Sequence, residues 1–434
     1  MRDNAVSMIF LYSNIAKITN KKSFYIKSRF ILAKESQIVK KLTQKKVLSI
    51  ILSLESIMNL DHRSVGIFPD SYEAFKILVI GFVNFKIKRA KSLPDFCKRY
   101  NCPMNYRPFG RTGVQVSELC LGCMNFGDDC SEVDSIALIH RAIDEGINFF
   151  DTADVYTRGV SETIVGKALM GEKREQVFLA TKVYNRMGEG PNDMGSHRYH
   201  IIKGCEDSLR RLNTDHLDLY QIHRPQSSIP IDETLRALDD LVRSGKVRYI
   251  GTSTFAAYQV LESLWASNTL HLNRFVCEQP PYNLLDRRIE RELLPMCRSY
   301  GIATIPWAPL AGGLLSGKYR AGAPRPEGAR YASKAAPFAR DNESALTTIE
   351  KYVAWCDSRG YDPSQVALAW VLHQPGVTSP IIGPKNTAQY EAYMAARSLT
   401  LTAEDHADLD ALFPPGTHVS EYYRADFGPT ARWM

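Results

Sequence analysis

Three short apolar segments near the middle of the chain are each followed by polar side chains that can hold or move a proton. The segments are 148–150, 177–180 and 217–222, and the side chains that follow them are Asp151 with Tyr156, Lys182, and His223. Together, an acid, a phenol, an ammonium and an imidazole form the set that the reduction of a carbonyl group by a separate hydride donor demands. Hydride that reaches a carbonyl carbon builds negative charge on the oxygen, and a positioned proton donor must neutralise that charge as it forms.

Each of the four side chains has a role in this hypothesis. Tyr156 is the candidate acid, although a phenol with a pKa of about 10 gives up its proton poorly near neutrality unless a cation stabilises the phenolate. Lys182 supplies that cation, Asp151 holds Lys182 by a salt bridge, and His223 donates to the carbonyl oxygen and orients the substrate. Singly, such residues more often cap helices, fill the core or face solvent. Their shared position after successive apolar segments favours catalysis.

From Met104 onward, short apolar runs alternate with amphipathic segments, which is the pattern of β/α units around a parallel sheet. We predict eight strands: Leu119–Gly122, Asn148–Thr152, Val177–Lys182, Leu217–His223, Val247–Ser253, Phe275–Gln279, Ile302–Trp307 and Ser379–Gly383. Helices are predicted at Val133–Glu145, Tyr199–Leu212 and Asp232–Ser244. Eight such pairs predict a (β/α)8 TIM barrel, whose catalytic groups lie at the carboxyl ends of the strands. Arg107–Val116 is predicted to form a hairpin that caps the other end.

The charge of the chain is unevenly distributed. Residues 1–100 hold 19 Lys and Arg against 7 Asp and Glu, whereas the rest holds 35 against 40. A mildly acidic body argues against nucleic-acid binding. The composition also changes near residue 103, so we predict a basic extension over 1–103 and a barrel domain over 104–434. The extension could be a targeting presequence, but we favour Met104 as the true initiator.

Several motifs resemble those of the aldo-keto reductase superfamily, over essentially all of residues 104–415. They are Asn148–Tyr156 (NFFDTADVY), Ala180–Lys182 (ATK) and Leu217–Pro225 (LDLYQIHRP), and the opening segment Met104–Gly113 is similar to that of bacterial-type members. The resemblance implies a (β/α)8 fold, a nicotinamide cofactor held without a Rossmann domain, and Asp151, Tyr156, Lys182 and His223 as a catalytic tetrad.

The resemblance also implies which residues bind the cofactor. Residues beside the nicotinamide would be Gly122, Cys123, Met124 and Asp151, with Ser253 and Gln279 on the carboxamide and Trp307 stacked on the ring. Pro309, Leu310, Gly312 and Lys318 resemble a loop around the pyrophosphate, since glycines let backbone amides approach phosphate oxygens. Residues 318–340 would form a mobile lid. Gly383, Lys385 and Gln389 resemble the segment at the adenosine end.

NADP(H) is the expected cofactor, with NAD(H) left open. Lys318 and Lys385 supply positive charge, Lys385 could pair with a 2′-phosphate, and we expect no acid beside Lys385 to bind a ribose hydroxyl. The chain departs from the family at Thr254, where Asn or Arg is frequent, and at Ala392-Tyr393, where a Glu-Asn pair is usual. These departures weaken the expected contacts on the carboxamide and adenine sides.

Other kinds of site have less support. Cys120 and Cys123 have the spacing of soft-metal ligands, but no second Cys or His pair follows at zinc-site spacing, so no metal is predicted. Cys123 remains a candidate oxidisable thiol. Rossmann and P-loop motifs are also missing from the sequence. Nine scattered cysteines favour a reducing cytoplasm, and the longest apolar runs fall well short of the roughly 18 residues of a membrane span.

We therefore predict an NADPH-dependent reductase of a small aldehyde or ketone, with a homo-oligomer left open. One alternative is a cofactor-binding regulatory subunit, because potassium-channel beta subunits share the fold; they resemble this chain but carry Asn where it has His223. Another is a redox-neutral lyase or isomerase. Substrate choice would come from Tyr184–His197, Arg224–Ile229 and the lid.

Overall fold

The computed structural model describes residues 104–320, 323, 324, 326, 327, 329 and 343–419. The predicted extension over 1–103 and most of the predicted lid over 318–340 lie outside the described residues. Among the helices of the described part, none is long and apolar enough to cross a bilayer.

The described residues form ten strands and ten α-helices. The strands are β1 (Tyr106–Pro108), β2 (Gln115–Ser117), β3 (Cys120–Gly122), β4 (Phe149–Asp151), β5 (Phe178–Val183), β6 (Leu217–Ile222), β7 (Val247–Ser253), β8 (Phe275–Gln279), β9 (Ala303–Thr304) and β10 (Ile381–Ile382). The helices are α1 (Glu132–Asp144), α2 (Val160–Ala168), α3 (Arg198–Leu212), α4 (Ile231–Arg243), α5 (Ala257–Leu270), α6 (Leu293–Tyr300), α7 (Glu343–Arg359), α8 (Pro363–Leu372), α9 (Thr387–Ala396) and α10 (Ala403–Leu412). The three predicted helices are confirmed to within one residue at each end.

The eight predicted strands form one parallel sheet, β10-β3-β4-β5-β6-β7-β8-β9. Backbone hydrogen bonds from Thr378 N to Thr304 O (2.8 Å) and from Ile381 N to Pro306 O (2.8 Å) join its two ends. The sheet thus closes as a (β/α)8 barrel, which confirms the predicted fold. The strands β9 and β10 are shorter than predicted, because Pro306 and Pro380 have no N–H to continue a ladder.

Side chains of the strands alternate between the barrel interior and the surrounding helices. Inside the barrel, apolar side chains lie toward the amino-terminal end and polar ones toward the carboxyl-terminal end. Phe149 of β4 and Phe178 of β5 belong to a buried interior cluster, whereas their neighbours Phe150 and Leu179 pack in the larger cluster toward the helices. Side chains two residues apart share a face of a strand. The next interior positions are therefore Asp151 and, through Ala180, Lys182, whose side chain is fully buried.

The hairpin β1–β2 closes the amino-terminal end of the barrel, as predicted. Its strands pair antiparallel, with Arg107 opposite Val116. Phe109, in the turn, is fully buried and its ring lies 5.7 Å from Phe149 and 5.0 Å from Phe178. Gly110 follows with φ of +56°, where a Cβ would lie 2.5 Å from Gly301 O, so only glycine fits. Ligands must enter from the other end.

Candidate active site

A cavity of about 520 Å³ opens at the carboxyl-terminal end of the barrel. Its walls include most of the residues that the family resemblance implied, namely Gly122, Met124, Asp151, Tyr156, His223, Ser253, Gln279, Trp307, Pro309, Leu310, Gly312, Lys318, Gly383, Lys385 and Gln389. Asp151 ends β4, Ser253 ends β7 and Gln279 ends β8. Parallel strands deliver their carboxyl ends to one rim, so residues far apart in the sequence meet there.

Lys182 joins three groups at the bottom of this cavity. Its ammonium donates to Asp151 Oδ1, to the backbone oxygen of Thr152 (2.8 Å) and to the Tyr156 hydroxyl oxygen (3.2 Å). Burial alone would lower the pKa of Lys182, but the Asp151 carboxylate and the Tyr156 phenol outweigh it and raise the pKa. The ammonium therefore remains charged while it contacts the phenol.

The Tyr156 phenol is held in its protonated form by burial. Burial raises its pKa above the usual value, and the charge of Lys182 only partly opposes that effect. Lys182 thus acts on the phenol in the direction the sequence argument gave it, while burial sets the overall direction of the shift. The hydroxyl carries its proton at neutral pH, which is the state a proton donor requires.

Two glutamines complete the interior layer around Asp151. Its Oδ2 accepts hydrogen bonds from Gln221 Nε2 (3.0 Å) and Gln279 Nε2 (2.9 Å), and Gln279 Nε2 also donates to Gln221 Oε1 (3.1 Å). Both carboxylate oxygens of Asp151 are thus satisfied in a fully buried setting. Sequence reasoning missed Gln221, although its position two residues before His223 places it on the interior face of β6.

His223 lies beside the phenol, with its ring 5.9 Å from that of Tyr156 in an edge-to-face arrangement. Asn185 Nδ2 donates to His223 Nδ1 (3.1 Å). Burial, followed by the charges of Arg224 and Lys182, lowers the pKa of His223 well below its usual range. A neutral ring that accepts at Nδ1 carries its hydrogen on Nε2. Asn185 and Arg224 also line the cavity, and both lie in loops expected from the sequence to choose the substrate, although their contacts could not be read there.

The outer part of the cavity has the surfaces that a nicotinamide dinucleotide requires. Trp307 offers an aromatic face, and Gly312 and Gly313 expose backbone with φ of +67° and +97°. Lys318 and Lys385 bring positive charge to the cavity lining. An aromatic surface, a glycine-lined stretch and cations in one cavity fit the ring and phosphates of such a cofactor.

Lys385 has an acidic neighbour that the sequence did not reveal. Its Nζ lies 2.7 Å from Asp129 Oδ2. The expectation that no acid lies beside Lys385 is therefore wrong, because a loop that is distant in the sequence brings Asp129 next to it.

The position of Cys123 also differs from expectation. Its side chain is fully buried and is not part of the cavity wall, and burial raises its pKa well above the usual value, so the thiol is a packing group.

Asp154 is a second buried carboxyl group near the site. No side chain hydrogen-bonds to it, and burial, followed by the charge of Glu162, raises its pKa to about 8. The folded protein therefore keeps a proton that the unfolded chain loses above its ordinary pKa of about 4. It follows that this group makes folding less favourable as pH rises from about 4 to 8.

We expect Asp154→Asn to stabilise the fold at alkaline pH. The unfolded chain gains free energy when Asp154 ionises there and the folded protein does not, whereas an amide ionises in neither state. The free energy of unfolding in urea should rise by roughly 2–4 kcal/mol near pH 8, and the gain should fade toward pH 4. Asp144→Asn, at an exposed position of α1, is the matched control and should change little. A gain that is constant with pH would contradict the assignment.

Comparison with known proteins places this barrel and its cavity in one class. The profile of the Aldo/keto reductase family matches residues 118–413. The chain is 42% identical over 332 residues to an uncharacterized oxidoreductase, YrpG, of Bacillus subtilis, covering 74% of this chain and 99% of that protein. A probable voltage-gated potassium channel subunit beta of Arabidopsis thaliana is 35% identical over 300 residues, with coverages of 68% and 91%. Versiconal hemiacetal acetate reductase of Aspergillus parasiticus is 34% identical over 339 residues, with coverages of 72% and 98%.

The chain belongs to the aldo/keto reductase family. It is an oxidoreductase of that family, whose members use the nicotinamide cofactors NADH or NADPH.

Proposed function

We propose that this protein reduces an aldehyde or ketone to the alcohol with NADPH, with Tyr156 as the general acid. The observation that carries the proposal is the contact of the Tyr156 hydroxyl with the Lys182 ammonium, 3.2 Å away, at the wall of the cavity. A protonated phenol beside a fixed cation can release its proton to an oxygen that is gaining negative charge.

The reduced nicotinamide, when bound, supplies the hydride. Tyr156 donates its proton to the substrate oxygen as charge builds there, and Lys182 stabilises the phenolate that remains. Asp151 holds the ammonium at that place through a buried ion pair, and Gln221 and Gln279 fix the carboxylate. His223 donates a hydrogen bond from Nε2 to the substrate oxygen and so directs the carbonyl toward Tyr156.

The cofactor would lie along the cavity from Gln279 to Lys385. Both hydrogens of Gln279 Nε2 are engaged by Asp151 and Gln221, so a nicotinamide carboxamide would meet the glutamine oxygen. Trp307 would cover the ring, the loop around Gly312 and Gly313 would face the phosphates, and Lys385 would pair with the 2′-phosphate.

Lys385→Met tests the preference for NADPH. We expect the dissociation constant for NADPH to rise about tenfold or more, because the variant loses an ammonium–phosphate contact and leaves the Asp129 carboxylate near the phosphate. The constant for NADH should change much less. Quenching of cofactor fluorescence measures both constants. Lys351→Met, at an exposed position of α7, is the control, and equal weakening of the two cofactors by Lys385→Met would defeat the assignment.

The reaction itself can be tested on the full chain with small aldehydes, sugars and methylglyoxal. The proposal predicts that absorbance of NADPH falls in step with the appearance of the alcohol. A redox-neutral lyase or isomerase would convert substrate with no net loss of NADPH. A regulatory subunit would bind NADPH with little turnover, and the similarity to a potassium channel subunit beta is the reason to measure binding and turnover side by side.

The seven cysteines of the described residues are free thiols, which supports a cytoplasmic location.

A further inference from the structure

We propose that Asp129 sets the cofactor selectivity of the site by opposing a 2′-phosphate and accepting a hydrogen bond from a 2′-hydroxyl. The inference rests on the proposed function, because it places the adenosine end of the cofactor at Lys385. Its consequence is that the protein binds NADH as well as NADPH, with a smaller preference for NADPH than Lys385 alone would give.

Two loops face each other at the outer end of the cavity. Asp129 lies between β3 and α1, and Lys385 lies between β10 and α9. The ion pair between them spans 2.7 Å, with the Lys385 side chain 21% exposed and that of Asp129 40% exposed. Lys385 lines the cavity. Asp129 is not itself among the lining residues, but its carboxylate lies within 2.7 Å of this ammonium, so a ligand that binds the ammonium comes close to a negative charge.

The Asp129 loop is held in place by its own backbone. Gly127 N donates to Cys130 O (2.9 Å), and Cys130 N donates to Asn125 O (3.0 Å). Asn125 Nδ2 donates to Gly383 O (2.9 Å), which ties this loop to the one that carries Lys385. The backbone that carries the Asp129 carboxylate is thus held by the turn and tied to the loop that carries Lys385.

The Lys385 loop is held in the same way. Lys385 N donates to Gln389 Oε1 (2.9 Å), and Asn386 Oδ1 accepts from Gln389 N (3.0 Å) at the start of α9. With both backbones held, a 2′-phosphate could contact the Lys385 ammonium only if it displaced the Asp129 carboxylate or bound the ammonium beside that carboxylate.

Charge decides which ligand the pair favours. A phosphate monoester carries a charge of about −1.5 to −2 at neutral pH. Lys385 attracts it while Asp129 repels it, so the two effects offset one another. A ribose 2′-hydroxyl brings no charge and can donate to the carboxylate, which leaves the ion pair intact. Such contacts between charged partners shift selectivity more than overall affinity.

The variant Asp129→Asn removes the charge and keeps the shape of the side chain. We expect its dissociation constants for NADPH and for 2′,5′-ADP to fall about tenfold. Those for NADH and 5′-AMP should stay the same or rise, because an amide accepts the hydroxyl proton more weakly than a carboxylate. Calorimetry with the two mononucleotides and fluorescence with the two cofactors, on the full chain at moderate salt, give all four constants.

Asp128→Asn is the matched control, since it removes the same charge from the adjacent, exposed position. If Asp128→Asn produces the same change as Asp129→Asn, or if Asp129→Asn alters the NADPH and NADH constants equally, the inference is overturned. Binding of 2′,5′-ADP needs no turnover. If the protein reduces no carbonyl but Asp129→Asn still binds 2′,5′-ADP more tightly, the selectivity role of Asp129 is supported although the proposed reaction fails.

Discussion

Replacement of Tyr156 with phenylalanine is expected to lower the rate of carbonyl reduction by about 10²- to 10⁴-fold, the range that positioned acid catalysis supplies. The change removes the one oxygen of this side chain, which lies 3.2 Å from Lys182 Nζ, and leaves its ring in place. Because the phenol acts on the substrate oxygen, the dissociation constant for NADPH should hardly change. Stopped-flow turnover and quenching of cofactor fluorescence measure the two quantities separately.

Tyr106→Phe is the control for the loss of a tyrosine hydroxyl elsewhere. Its hydroxyl donates to Gly146 O (2.9 Å) near the hairpin at the opposite end of the barrel. This variant should keep the reduction rate of the unaltered protein. If Tyr156→Phe retains full turnover, the proton must come from another group, and the proposed role of the phenol fails.

Lys182→Met is expected to abolish reduction and also to destabilise the fold. The ion pair between Lys182 and Asp151 is fully buried, and removal of one partner leaves an uncompensated charge inside the protein. The free energy of unfolding should fall by roughly 3–5 kcal/mol. Addition of Asp151→Asn should recover part of that loss without restoring activity, because the second change removes the stranded charge but not the need for a cation.

An exposed ion pair provides the contrast. Lys167 Nζ lies 2.7 Å from Glu132 Oε1, with both side chains about half exposed. Lys167→Met should cost less than about 1 kcal/mol in urea unfolding. If Lys182→Met costs no more than Lys167→Met, the buried pair does not hold the ammonium in the way the mechanism requires. If the double variant is less stable than Lys182→Met, the stranded carboxylate is not the source of the loss.

The barrel and the core of the cavity were accessible from sequence because they follow local rules. Alternation of side chains along Phe149–Asp151 and Phe178–Val183 places apolar groups at the floor and polar groups at the rim. The closure of the sheet then brings the ends of those strands together. Only their order along the chain is needed to predict that Asp151, Lys182 and His223 share one site.

What escaped prediction depends on the three-dimensional course of loops. Asp129 and Lys385 are 256 residues apart, and nothing in either segment reveals that their loops meet. Asn185 reaches His223 through the turn after β5, whose geometry no periodic pattern encodes. The balance of effects on the Tyr156 pKa also required the structure, because a neighbouring cation can be read from sequence motifs but complete burial of the phenol cannot.

Transfer of deuterium from the cofactor to the product shows directly whether this protein carries out hydride reduction with Tyr156 as the acid. The full chain is given an aldehyde substrate and reduced cofactor that is deuterated at the transferable position of the nicotinamide ring. We expect one deuterium on the carbinol carbon of the alcohol for each cofactor oxidised, and a rate that falls by about 10²-fold or more in Tyr156→Phe. An alcohol without the label, or substrate conversion while the cofactor stays reduced, would contradict it.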